Sequence, residues 1–109
     1  MAITLKNDIL ASQSSLQGIY EWHKTINGKA SWKSASNAVW YVPKSQSWGI
    51  GNLKKIGGET LRIVSDNYYG LESPYDVPPD KWLYREIWGW KDGNGDIIIQ
   101  CKNERGKLM

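Results

Sequence analysis

The chain has no phenylalanine, one cysteine (Cys101) and one histidine (His23). With Phe missing, each of its seven Trp and six Tyr rings carries a polar N–H or O–H that needs a partner wherever the ring is buried. Such rings suit half-wet surfaces as well as interiors. One cysteine excludes an intramolecular disulfide and a cysteine-built metal site, and with one His and one Cys a zinc site of three or four ligands is poorly supplied. No apolar run approaches the roughly 18 residues of a membrane span. Met1 to Leu16 lacks a basic start followed by a continuous apolar stretch, so no secretory leader is expected and the expected location is cytoplasmic. An extracellular one would fit an excised or processed fragment. Phosphate-cradling glycine loops are missing too, because Gly49-Ile50-Gly51 lacks a third glycine and a following helix.

What is present fits one domain. A chain of 109 residues with 40% apolar and 23% charged side chains can bury a single core. Fourteen basic and eleven acidic residues leave a net charge of +3, spread along the chain. That is too little for a nucleic-acid footprint: stacking platforms exist, but a continuous basic track does not.

Residues 1–17 differ from the rest. Ile3, Leu5, Ile9, Leu10 and Leu16 form neither a strict alternation nor a clean helical stripe. Thr4 could cap a short N-terminal helix running to about Ser12. From Gly18 the punctuation is that of a mainly β protein. Ile19–Lys24 alternates, and Asn27-Gly28 is a strong hairpin signal leading into Ala30–Lys33. Ala38–Val42 stops at Pro43. Trp48–Leu53 follows, with Gly49 and Gly51 implying a bulge or a close backbone approach. Thr60–Ser65 reads as a strand with Leu61 and Ile63 on one face. Three of the four prolines fall in the irregular stretch from Asp66 to Asp80. Trp82–Trp90 alternates as one strand, with Trp82, Tyr84, Glu86, Trp88 and Trp90 on one side. Asp92-Gly93-Asn94-Gly95 then turns the chain into Asp96–Lys102. The expected fold is a compact antiparallel sandwich or barrel of six to eight short strands over residues 18–102, with a flexible basic tail at 103–109.

The features Gly18-x-Tyr20, Asn27-Gly28-Lys29, Trp32, Trp40-Tyr41, Trp48-Gly49-Ile50-Gly51, Pro74, Trp82, Trp88 and Asp96-Ile97-x-Ile99-x-Cys101 span residues 18–101. In this pattern the chain resembles a small Trp-rich β module that recurs in multidomain proteins of aquatic eukaryotes. In the modules it resembles, a second cysteine often precedes the proline, where this chain has Ser73. The resemblance implies a non-catalytic β module and carries over no active-site residue.

Catalytic chemistry is thinly supplied. Any Cys–His dyad must join Cys101 to His23, and neither has a local signature. Asp92, Asn94 and Asp96 are spaced like the start of a calcium loop, but Ile97 and Asn103 stand where Gly and Glu are needed, so a turn is the better reading. Glu21, Glu59, Asp66, Glu72 and Glu86 are the acids available for glycoside hydrolysis, with Glu86 the best placed between rings. That reaction needs two carboxyls across a cleft, which a small β domain rarely builds. No cofactor is expected.

The aromatic surplus points to recognition. Trp22, Trp40, Trp48 and Trp82 lie within strand patterns and are expected in the core. Trp88 and Trp90, beside a polar turn, and Tyr68, Tyr69 and Tyr75, in the long irregular stretch, are expected to reach water. With Asp66, Asn67 and Glu72 as hydrogen-bonding neighbours, they form the candidate ligand-binding set. The partner would be a glycan stacked on the rings or a protein anchored by them.

Overall fold

The computed structural model describes residues 2–7, 16–65, 73–86, 89–92 and 97–102. Among the described residues nine strands form one sheet: β1 (Ala2–Asn7), β2 (Gly18–Ile26), β3 (Lys29–Lys33), β4 (Asn37–Val42), β5 (Ser47–Asn52), β6 (Ile63–Ser65), β7 (Trp82–Glu86), β8 (Gly89–Asp92) and β9 (Ile97–Lys102). The protein is mainly β, as its sequence predicts. The strands lie in the order β8-β7-β6-β5-β4-β3-β2-β1-β9, and every neighbouring pair is antiparallel. The sheet is therefore an up-and-down meander with β9 folded back onto β1.

The two edge strands adjoin in sequence. Asp92 and Ile97 are five residue steps apart, a reach of at most about 18 Å. The sheet must curl until its edges approach, giving a barrel-like body. Yet β8 and β9 are separated by eight antiparallel steps, so they run in the same sense and cannot pair as a hairpin. The sheet stays open there, and the turn expected at Asp92–Gly95, whose residues 93–95 lie outside the described ones, does not make β9 the hairpin partner of β8: β9 pairs with β1, from Ala2↔Lys102 to Asn7↔Ile97.

Thr4 starts no helix within the described residues, because β1 occupies Ala2–Asn7; residues 8–15 lie outside them. A cap contributes about 1 kcal/mol, whereas β1 is laddered on both sides, to β2 and to β9. Thr60–Ser65 is strand only from Ile63, so Leu61 and Ile63 part company: Ile63 joins one core cluster and Leu61 the other. Trp82–Trp90 is not one strand. The chain reverses between Glu86 and Gly89, which pair with each other.

Two apolar clusters occupy the two faces of the sheet. The inner one gathers Tyr20, Trp32, Val39, Trp48, Ile50, Ile63, Trp82, Tyr84 and Ile99, sealed by Leu16 and Val77. Residues 74–76 and 79–81 lie against β9. The outer cluster is Ala38, Trp40, Val42 and Leu61, with Leu53, Ile56 and Val64 packed against it. Strand β4 thus buries both faces, which explains its nearly unbroken apolar run. Trp40 donates its indole N–H to Gly58 O at 2.9 Å. The indole N–H of Trp82 is buried with no partner among the described residues.

The β2–β3 turn is the one the sequence predicts. Asn27 (φ 55) and Gly28 (φ 84) are both left-handed, and Ile26 pairs with Lys29. Asn27 also donates through Nδ2 to Tyr41 O at 2.9 Å and Gly57 O at 3.1 Å, tying the hairpin to the end of β4 and to the outer connection. Asn27→Gly keeps the turn conformation but drops both bonds, at an expected loss of about 1 kcal/mol. Asn27→Asp sets a carboxylate against two carbonyl oxygens and is expected to lose about 2 kcal/mol at neutral pH. Urea unfolding of the two variants checks the ranking.

Candidate functional site

Chain reversal between β7 and β8 changes where Trp90 points. An uninterrupted strand would keep Trp90 on the side of Trp82 and Tyr84, which are buried inside. In the hairpin Trp90 stands opposite Arg85 instead, and directly opposed residues share a face. Trp90 therefore lies on the outer face, 46% exposed. Gly89, at φ 121, marks the reversal.

There Trp90 forms one wall of a groove of about 340 Å³, near the low end of ligand-sized pockets. Its floor is apolar, made by Val42, Leu61, Val64 and Leu83. The register explains the gathering: Leu83 is opposite Val64, and Val42 is opposite Ser47. Ser45 adds a half-buried hydroxyl above the buried Ser47 and Ser65, and Glu59 supplies an exposed carboxylate. Ser47 Oγ lies 2.7 Å from Ser45 Oγ, donating to it, and Ser65 Oγ accepts the Trp48 backbone N–H at 2.8 Å. Glu59 meets Lys44 at 3.8 Å, with both side chains mostly exposed. Such a pair contributes at most about 1 kcal/mol, so water or a ligand can displace it.

A second groove, of about 540 Å³, is lined by Ile19, Glu21, Trp22, Lys33, Ser34, Ala35 and Leu53. Trp22 was expected in the core beside Tyr20, and this is corrected: Trp22 is 55% exposed while Tyr20 is buried. Trp22 does pair with the buried Trp32, but the β2–β3 register shifts just beyond it, and β2 buries no further residue after Tyr20. The polar neighbours Glu21, His23 and Lys24 are the signal that this strand leaves the core. His23 titrates below the ordinary imidazole range because partial desolvation, then the Lys33 and Lys24 charges, disfavours its cationic form.

Of the candidate ligand-binding set, two members fall among residues whose side chains are described. Trp90 lines the outer groove. Tyr75 is half-buried against the inner cluster, edge-on to Trp32 with ring centroids 6.3 Å apart, and lines neither groove. The two are not brought together. Asp66, Asn67, Tyr68, Tyr69, Glu72 and Trp88 lie outside the described residues. Ser45, Ser47, Glu59 and Ser65 around Trp90 were not singled out as binding residues by the sequence, because they come from three separate segments.

Among the described residues, no group of three or more His, Cys, Asp or Glu side chains is placed to hold a metal. Glu21 and Glu59 lie in different grooves, so they do not form the facing pair that glycoside hydrolysis needs. No helix among the described residues is long and apolar enough to cross a membrane.

The fold and site thus define a small, curled, antiparallel β domain with an aromatic-walled groove on its outer face. Comparison with protein-family models, curated proteins and solved structures finds no match to this chain.

Proposed function

We propose that the chain is a non-catalytic recognition module that takes a glycan in the groove beside Trp90. The observation that carries this reading is the combination of a half-exposed indole, a shallow apolar floor and a polar border that offers the half-buried Ser45 hydroxyl and the exposed Glu59 carboxylate. A pyranose ring has an apolar C–H face and an equatorial ring of hydroxyls. Indole stacking suits the first, and the Ser45 hydroxyl, held by the buried Ser47 beneath it, and the Glu59 carboxylate suit the second. The groove is open and shallow, which favours a short stretch of one sugar chain over an enclosed small molecule.

Glycan-array screening of the intact chain, followed by titration of the best soluble oligosaccharide, tests the proposal. Trp90→Ala is expected to weaken binding at least about tenfold. Because just over half of the ring is covered, the variant should also lose about 1 kcal/mol of unfolding stability, a loss too small to unfold it, so binding is read on folded protein. Binding that survives Trp90→Ala unchanged, or an array with no bound glycan, overturns the reading.

A further inference from the structure

Among the described residues three large apolar side chains are exposed, and two of them, Ile19 at 52% and Trp22 at 55%, line the same groove. That groove is separate from the one at Trp90. Leu53 and Ala35 extend its apolar lining. Beside these residues stand one acid and one base, Glu21 and Lys33, which face each other directly in the β2–β3 register. Neither makes an ion pair within the described residues.

We propose that this surface is where two copies of the chain associate about a two-fold axis. A two-fold interface must be self-complementary, since the same patch serves both sides. Here an acid and a base sit side by side next to an exposed indole. A two-fold rotation then sets Glu21 of one copy against Lys33 of the other, and repeats the contact in reverse. Trp22 and Ile19 of both copies close over the centre and leave water. The four charges sum to zero, so the net charge of +3 on each chain does not gather at the seam. A strongly acidic or basic foreign partner would call for a surface of one sign, which this groove lacks. Its small size implies a weak, concentration-dependent dimer.

Sedimentation equilibrium of the full chain, from about ten micromolar to about one millimolar, reads the association directly, a range suited to small interfaces. The weight-average mass is expected to climb from 12.4 kDa towards twice that value. Trp22→Ala should weaken the dimer at least about tenfold, which corresponds to about 1.4 kcal/mol. Glu21→Lys and Lys33→Glu should each weaken it by a comparable factor, because each alone brings like charges together. The double variant Glu21→Lys/Lys33→Glu restores opposite charges across the axis and should recover affinity to within about threefold of the original. Because the double swap also restores opposite charges across the β2–β3 register within one chain, urea unfolding of each single variant is run alongside, and a single that keeps its unfolding stability while losing association places the effect at the seam. Trp90→Ala, on the other groove, should not change the association, so this proposal and the glycan reading fail separately. A chain that stays monomeric at the highest concentration overturns the proposal. So does a dimer indifferent to Trp22→Ala, or a double swap no better than its singles.

Discussion

Gly51→Ala is expected to cost about 3 kcal/mol, at the upper end of overpacking effects. Strand β5 runs directly beneath the connection that returns to β6. A Cβ built on Gly51 would lie 2.9 Å from the backbone oxygen of Thr60 and 3.1 Å from Cη2 of the buried Trp40. A backbone oxygen cannot swing aside, and Trp40 is pinned by its bond to Gly58 O. Gly49 meets a different obstacle: the three atoms nearest its Cβ would all belong to the Leu61 side chain. Leu61 can be shortened. Gly49→Ala and Leu61→Ala are therefore expected to be non-additive, the double variant recovering at least about 1 kcal/mol of the summed losses. Gly51→Ala with Leu61→Ala should recover nothing comparable. Equilibrium unfolding of the five variants in urea decides it. Equal relief at both glycines would show that the connection as a whole can lift away from β5.

These two glycines show how far the sequence could be read. Glycines at 49 and 51 within an apolar run imply a bulge or a close approach, and the structure selects the approach: β4 and β5 pair without a break from Asn37↔Asn52 to Val42↔Ser47. Asn27-Gly28 was legible because the backbone conformation it needs is local, set by two residues. β1 was not, because its alternation is clear only over residues 2–7. Ile9, Leu10 and Leu16 blur it when the segment is read whole. Its partner β9 is also distant in sequence, and nothing local announces such a pairing.

The site was less legible than the fold, and the reason is parity. Alternation across Trp82–Trp90 is unbroken in the sequence, so it looks like one strand with Trp90 on the Trp82 side. Pairing Glu86 with Gly89 reverses the chain and moves Trp90 to the opposite face. A sequence pattern with period two cannot register that change; only Gly89 hints at it. Trp22 fails for a related reason. Tyr20 and Trp22 share the alternation, but depth within a curled sheet varies along a strand, and Trp22 lies beyond the end of the packed interior.

Raising the pH from 10 to 12 is expected to remove about 2 kcal/mol of stability through one phenol, that of Tyr20. Tyr20 is buried at 1% exposure and donates its O–H to Leu16 O at 2.6 Å. Burial pushes its pKa up from 10.0 to about 12, against smaller opposing effects from Ser34, the Arg62 charge and Asn37. Below pH 10 the phenol is neutral in both folded and unfolded chains, and its contribution is complete. Above pH 10 the unfolded chain releases the proton while the folded one retains it, so each further unit favours unfolding by about 1.4 kcal/mol until the folded pKa is reached. Lysines titrate in the same range, so the measurement is a difference. Tyr20→Phe starts about 1 kcal/mol less stable at pH 8, having left the Leu16 carbonyl without its donor. It has no proton to release, and its stability should fall less steeply, so the gap between the two proteins closes and then reverses before pH 12. Urea midpoints taken at intervals across this range, with phenolate absorbance followed in parallel, would show the crossing. If the gap stays constant to pH 12, Tyr20 ionises as readily in the folded chain as in the unfolded one, and the desolvated inner cluster around Leu16 and Tyr20 is not as described.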